Sequence, residues 1–288
     1  MIMKKTLGIY TNTNRHWVGN GFPVRSLFSY SEFGRELSPF LLLDYAGPAR
    51  FEGDGQKRGV GSHPHRGFET VTIVYSGEVS HRDSTGNGGK ISSGDVQWMT
   101  AGSGILHEEF HSEDFSNSGG MLEMFQLWVN LPAKEKMVPP RYQSILSSEI
   151  PTVHFSDNSA KARIIAGSLN DKIGPARTFS PIDVWDVTIH PGKKIEFPIH
   201  SGWNAAFVIR KGSIIVNETE RVGESQFILF SREGQNVILE SLEETSLLFL
   251  SGETILEQLV GYGPFVMNTS EEINQAIIDI NLRKFGSI

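Results

Sequence analysis

The chain has 288 residues, with 26 lysines and arginines against 33 aspartates and glutamates and a net charge of -7. That balance disfavours direct nucleic-acid binding, which needs a basic surface to neutralise phosphates, and the missing cysteines exclude disulfides and thiolate metal sites. The longest apolar run, Phe40-Leu41-Leu42-Leu43, is far short of a membrane span and no apolar signal core follows the N-terminal lysines, so a soluble cytoplasmic protein is expected.

Thirty glycines and thirteen prolines in short clusters predict a turn-rich, all-β chain. Residues 25–45 end in the apolar run of a buried strand. Between 59 and 79, "GVGSHPHRGFETVTIVYSGEV" reads as strands carrying His63, His65 and Glu69. "DSTGNGG" is a turn, "DVQWMTAG" a further strand, and "GSGILHEEF" an extended segment with His107 and Glu109. Four prolines and a charge cluster between Asn130 and Pro151 read as a domain connection. Beyond it, "VWDVTIHPGKKIEFPI", "AAFVIRKGSIIVN", "SQFILFS", "NVILES" and "TSLLFLSG" restart the strand pattern, and "RKGSIIVNE" loosely repeats "YSGEVSHRD". The expected division is therefore 1–138 and 139–288, two similar β domains. The second should end in a helix, with a capping box from Thr269 to Glu272, an apolar face of Ile273, Ala276, Ile277 and Ile280, and a stop at Gly286.

Side chains on a strand alternate faces, so His63 and His65 share one, and Pro64, lacking an amide hydrogen, suits an edge. His107 and Glu109 repeat the spacing. A single H-x-H pair is more often an ordinary polar pair at a sheet edge than a metal site. Two such pairs on facing strands supply three imidazoles and a carboxylate, a set suited to Fe(II), Mn(II), Ni(II), Cu(II) or Zn(II) with open positions on an octahedral ion. Asp83, Gln97 and Glu123 are candidates, by residue type, to orient the ligands. Arg82 with Asp83 reads as a structural ion pair, and His81 as a residue beside the site with no direct role. Trp98, Met99, Phe125 and Trp128 read as core or cavity lining, and His111 as the start of a loop. His16, His154 and His190 lack ligand spacing.

The runs "HPHRGFETVT", "GEVSHRDS" and "SGDVQWMTAGSGILHEE", with "SPFLLLDY" upstream and "GPFVMNTSEEINQAI" downstream, resemble the pirins, a branch of the cupin superfamily. The resemblance spans nearly the whole chain. It implies two cupin domains, each an antiparallel β-barrel or jelly roll, with one metal ion, usually iron, in the N-terminal barrel alone. It places the ligands on His63, His65, His107 and Glu109. The general cupin pattern would instead take its carboxylate from Glu69, which strand parity puts on the same side as His63. Some pirins resemble quercetin 2,3-dioxygenases, which cleave flavonols with O2 and release carbon monoxide; Glu109 would then also be the general base. Others act as iron-dependent regulators that bind a transcription factor or metabolic enzyme. Other cupins are zinc-dependent sugar-phosphate isomerases, a reading weakened here by the lack of a basic cluster for phosphate. In the second domain, aligning Gly192 with the first-motif glycine puts Pro198 and His200 at the histidine positions and Asn204 to Ala206 at the carboxylate position. No histidine follows Gly223, so the second barrel should hold no metal, with His200 a hydrogen-bonded remnant.

Overall fold

The computed structural model describes residues 2–288. Its strands assemble into two units, each built from a seven-stranded and a four-stranded antiparallel sheet. In the first unit the large sheet runs, in spatial order, Arg141–Ile145, Val96–Thr100, Phe68–Ser76, Gly120–Asn130, Phe40–Phe51, Phe22–Ser29 and His16–Val18. The small sheet runs Gly59–His65, Ile105–His111, Val79–Asp83 and Gly88–Ile91. The second unit repeats the plan. Its large sheet contains Ile182–Ile189, Asn204–Lys211 and Thr245–Gly252, and its small sheet is Lys194–Pro198, Asn236–Ser241, Ser213–Val216 and Glu220–Gly223.

The units interleave along the chain, unlike the contiguous division expected at 138/139. The first comprises Thr13–Ser29, Phe40–Ser147 and Leu256–Ile288, and the second residues 2–12, Tyr30–Pro39 and Ser148–Ile255. Long-range strand pairing is the cause. Thr6–Thr11 pairs with Gln226–Phe230, so the N-terminus joins the second unit. The proline-rich stretch is no free linker either, because Arg141–Ile145 adds an edge to the first large sheet, with Tyr142 opposite Met99.

The terminal helix, Ser270–Asn281, also departs from expectation by packing on the first barrel. Its capping box is present, and its apolar stripe of Ile273, Ala276, Ile277 and Ile280 packs with Leu106, Phe265, Met267 and Phe285. An amphipathic helix goes where its apolar face is covered. Arg66 fastens it, with Nη1 2.9 Å from Asp279 and the guanidinium 4.6 Å from the Phe285 ring centre. The helix stops at Asn281 rather than Gly286, and Arg283 takes up the left-handed turn at φ 58°.

Candidate metal centre

Three strands of the first small sheet direct their alternate residues inward. Along Ile105–His111 the odd positions Ile105, His107, Glu109 and His111 are buried, while the even ones are partly exposed. His107 lies opposite His63 on one neighbour and Asp83 on the other. Glu109 lies opposite Val60 and His81, the register toward Gly59–His65 shifting by a bulge between His107 and Glu109. Pro64 sits on the edge strand, as its missing donor requires.

The imidazoles of His63, His65 and His107 converge, with one ring nitrogen of each within 4.8 Å of the others. Ring centres are 4.2 Å apart for His63–His107, 4.8 Å for His65–His107 and 4.9 Å for His63–His65. Glu109 belongs to an adjoining group, formed with His107 and His81 on the same distance limit, so His107 is shared by both. The donor atoms suit a cation. His63 Nδ1 donates its hydrogen to the Gly61 carbonyl at 2.9 Å, so Nε2 is the nitrogen turned to the cluster. His65 Nδ1 and His107 Nε2 are buried and have no hydrogen-bond partner among the described residues. Burial, and then the neighbouring imidazoles, push the pKa of His65 and of His107 well below that of a free imidazole. Both rings are therefore neutral and hold lone pairs, as metal ligation demands.

Beside His65 stand Phe68 and Trp128, at 5.1 and 5.4 Å between ring centres, forming an aromatic wall. Thr72 reaches across from the large sheet, its hydroxyl 3.4 Å from Glu109 Oε1 and 2.7 Å from Gln126 Oε1. Gln97, opposite Thr72 and on the same face, is fully buried, and neither of its amide atoms has a partner among the described residues.

Glu69 faces the other way. It lies three residues from Thr72 in the same strand, and its carboxylate accepts the Thr100 hydroxyl at 2.7 Å with Arg141 at 3.9 Å. Burial pushes its pKa up to about 7, against the opposing pull of Thr100, Trp98 and Arg141. The parity argument that paired it with His63 fails because Arg66 and Gly67 separate two strands. Gly67 has φ 87°, and a side chain there would meet the Val266 carbonyl at 2.0 Å.

Other expectations shift in detail. Arg82 pairs with Glu108 at 2.8 Å, leaving Asp83 to His81, Thr85 and Asn87. Glu123 accepts the Tyr45 hydroxyl. His111 ends a strand instead of opening a loop; it is packed among Phe22, Phe51 and Phe115 with Nε2 at 2.9 Å from the Gly21 carbonyl. His81, read as outside the chemistry, is buried against His107. The H-x-D spacing of His81 and Asp83, matching the two ligand pairs, was the available signal.

In the second barrel the inward positions of Lys194–Pro198 are Ile195 and Phe197, while Pro198 is exposed. His200 lies beyond the strand's end, half-exposed, 3.5 Å from Asp183 Oδ2 and packed at a tilt against Trp203. It therefore occupies no ligand position.

Comparison with known proteins settles the family. The Pirin family profile matches residues 21–129, and the profile for the Pirin C-terminal cupin domain matches 184–286. The chain belongs to the pirin family. A Pseudomonas aeruginosa protein named "Putative quercetin 2,3-dioxygenase" is 57% identical over 98% of this chain and 99% of its own length. Human Pirin is 36% identical over 93% of this chain and 89% of its own. A crystal structure of quercetin 2,3-dioxygenase from Acinetobacter baumannii superposes with a TM-score of 0.97 at 52% identity, covering all of both chains. As a pirin the chain is a bicupin with a metal site of His and Glu character in its first barrel.

Proposed function

We propose that this pirin is a quercetin 2,3-dioxygenase-type oxidoreductase that opens flavonols with O2 at one metal ion, Fe(II) in preference to Mn, Ni, Cu or Zn. His63, His65, His107 and Glu109 are the proposed ligands. The observation that carries the reading is the convergence of three inward imidazoles, in a chain 52% identical along its whole length to a quercetin 2,3-dioxygenase of known structure.

When bound, the ion would supply Lewis acidity and open positions for substrate oxygen and O2. The protein supplies the rest. Glu109 accepts the proton of the flavonol hydroxyl at its carboxylate and keeps it within the barrel. Thr72, fixed by Gln126, steadies that carboxylate through Oε1. Trp128, partly exposed and backed by the buried Phe68 ring, gives a flat aromatic substrate a face on which to lie. No helix of the described residues is long and apolar enough to cross a membrane, and a cytoplasmic location fits the cysteine-free composition.

The test is anaerobic reconstitution with Fe(II), followed by oxygen uptake and carbon monoxide release across a flavonol panel. Turnover is expected, and it should vanish in His63→Ala. A fully loaded protein that consumes no oxygen with any flavonol would leave the family's regulator role in its place.

A further inference from the structure

His63 and His65 each rest one nitrogen on a backbone carbonyl, that of Gly61 and that of Pro264. His107 differs: its Nδ1 lies 3.4 Å from Nδ1 of His81. His81 Nε2 in turn lies 3.6 Å from Asp83 Oδ2, and neither of those two atoms has a hydrogen bond among the described residues. Both side chains are fully buried. Asp83 is held by its other oxygen, which accepts the Thr85 amide at 2.8 Å, the Thr85 hydroxyl at 2.6 Å and the Asn87 amide at 3.1 Å. The His81 ring is held flat against Tyr142, with centres 5.2 Å apart and planes 9° from parallel.

We propose that His81 and Asp83 are positioning residues, forming a buried relay that sets the tautomer and orientation of His107 and so aims its Nε2 at the metal. The inference rests on the reading of His107 as a ligand. Proton counting decides the direction. An ionised Asp83 requires a proton on the nitrogen facing it, His81 Nε2. In a neutral His81 ring Nδ1 is then a lone pair, so the shared contact needs a proton on His107 Nδ1, and the lone pair of His107 Nε2 is left facing His63 and His65. The opposite arrangement puts the His81 Nε2 lone pair against a carboxylate and a proton on His107 Nε2, inside the cluster where no acceptor waits. Asp83 Oδ1 accepts three hydrogen bonds, the pattern of an ionised carboxylate. Such outer partners fix ligand tautomers widely, and their loss typically costs 10–100-fold in metal affinity or activity.

Two measurements test this. The first uses Co(II) as the probe ion, with affinity from chelator competition and the visible absorption of the bound ion as a signature of ligand geometry. His81→Phe, which keeps a flat ring but neither accepts nor donates, should bind Co(II) about 10–100-fold more weakly with an altered spectrum. His81→Gln, whose amide accepts from one side and donates to the other, should recover most of the loss. Unchanged affinity and spectrum in His81→Phe would overturn the relay. So would complete loss in both variants, equal to His107→Ala, because His81 would then be a ligand. The second measurement needs neither a variant nor a metal. Long-range nitrogen–proton NMR of the metal-free wild type should show the His107 proton on Nδ1, and finding it on Nε2 overturns the proposal. Failure of the underlying reading looks different: His107→Ala would bind Co(II) as well as wild type, whatever tautomer is found.

Discussion

The two barrels share one plan of seven strands against four, yet fill it with opposite chemistry. In the first, the edge strand of the small sheet turns His63 and His65 inward. Its counterpart in the second turns in Ile195 and Phe197. The Phe197 ring touches Phe155, Trp185, Phe207 and Phe249, with centres 4.9 to 5.9 Å apart, and apart from Phe230 the rest of that core cluster is aliphatic. The first interior holds His65, Thr70, Gln97 and His107 with unpartnered polar atoms among the described residues. Unsatisfied buried polar groups cost stability unless a ligand completes them. The second core is thus packed mainly with hydrocarbon, whereas the first turns a cluster of imidazoles and amides inward.

The sharpest break of this contrast is in metal content. His107→Ala should take the protein from one metal equivalent to essentially none while circular dichroism stays β-rich, because a barrel core of this kind folds without its ion. Full occupancy of the variant, by elemental analysis, would remove His107 from the ligand set. The converse substitution is Phe197→Ala. It should leave one metal bound and destabilise the second barrel by about 3–5 kcal/mol, the cost of a cavity in a packed aromatic core. Chemical denaturation followed through Trp185 fluorescence checks it, and a shift below about 1 kcal/mol would mean that the interior is loosely packed.

Much of this was legible in residue spacing. The alternation of His63 with His65 and of His107 with Glu109 pointed to one face, and the inward placement of both pairs follows from strand geometry alone. Alternation holds only within a strand, however. Glu69 was mispaired because the chain turns at Arg66 and Gly67, and His200 because it lies past the end of its strand. The interleaving of the two units was not legible, since the pairing of Thr6–Thr11 with Gln226–Phe230 leaves no local mark. His81 was undervalued for a related reason: its importance lies in a neighbour brought to it by sheet register, His107, twenty-six positions away.

The two carboxylates separate next. Glu109→Gln should weaken metal binding and abolish flavonol turnover, because an amide neither carries the ligand charge nor accepts the substrate proton. Glu69→Gln should keep the metal. It should also carry its own pH signature. The buried acid has its pKa raised to about 7 from 4.5, so the folded state holds a proton that the unfolded chain gives up between those values. The stability this provides is full below about pH 4.5 and is lost as pH rises to about 7. A glutamine, always neutral, escapes that loss, so the variant should gain on the order of 1–3 kcal/mol at pH 8 and nothing near pH 4. Denaturation at the two pH values measures it. Exchanged metal phenotypes between the two glutamates would mean that the general cupin arrangement operates instead.

The smallest effect expected is that of His200→Ala, and it tests the contrast from the other side. Sequence alignment alone would make His200 the last trace of a second metal site. The side chain is 54% exposed, pointing away from the aromatic interior, and its polar contact is Asp183 at 3.5 Å. Burial raises the pKa of Asp183 to about 7, so near neutrality this carboxylate is only partly ionised. Solvent reaches the half-exposed His200 side of the contact and screens what attraction remains to the buried Asp183, so it contributes no more than about 1 kcal/mol. Losing the ring also removes its tilted packing against Trp203, a contact of similar size. The variant should therefore keep one metal equivalent, unchanged Co(II) affinity and a midpoint of unfolding close to wild type. Two equivalents in the wild type, with one lost on this substitution, would show that the second barrel binds an ion through its rim, and the division of labour between the barrels would fall.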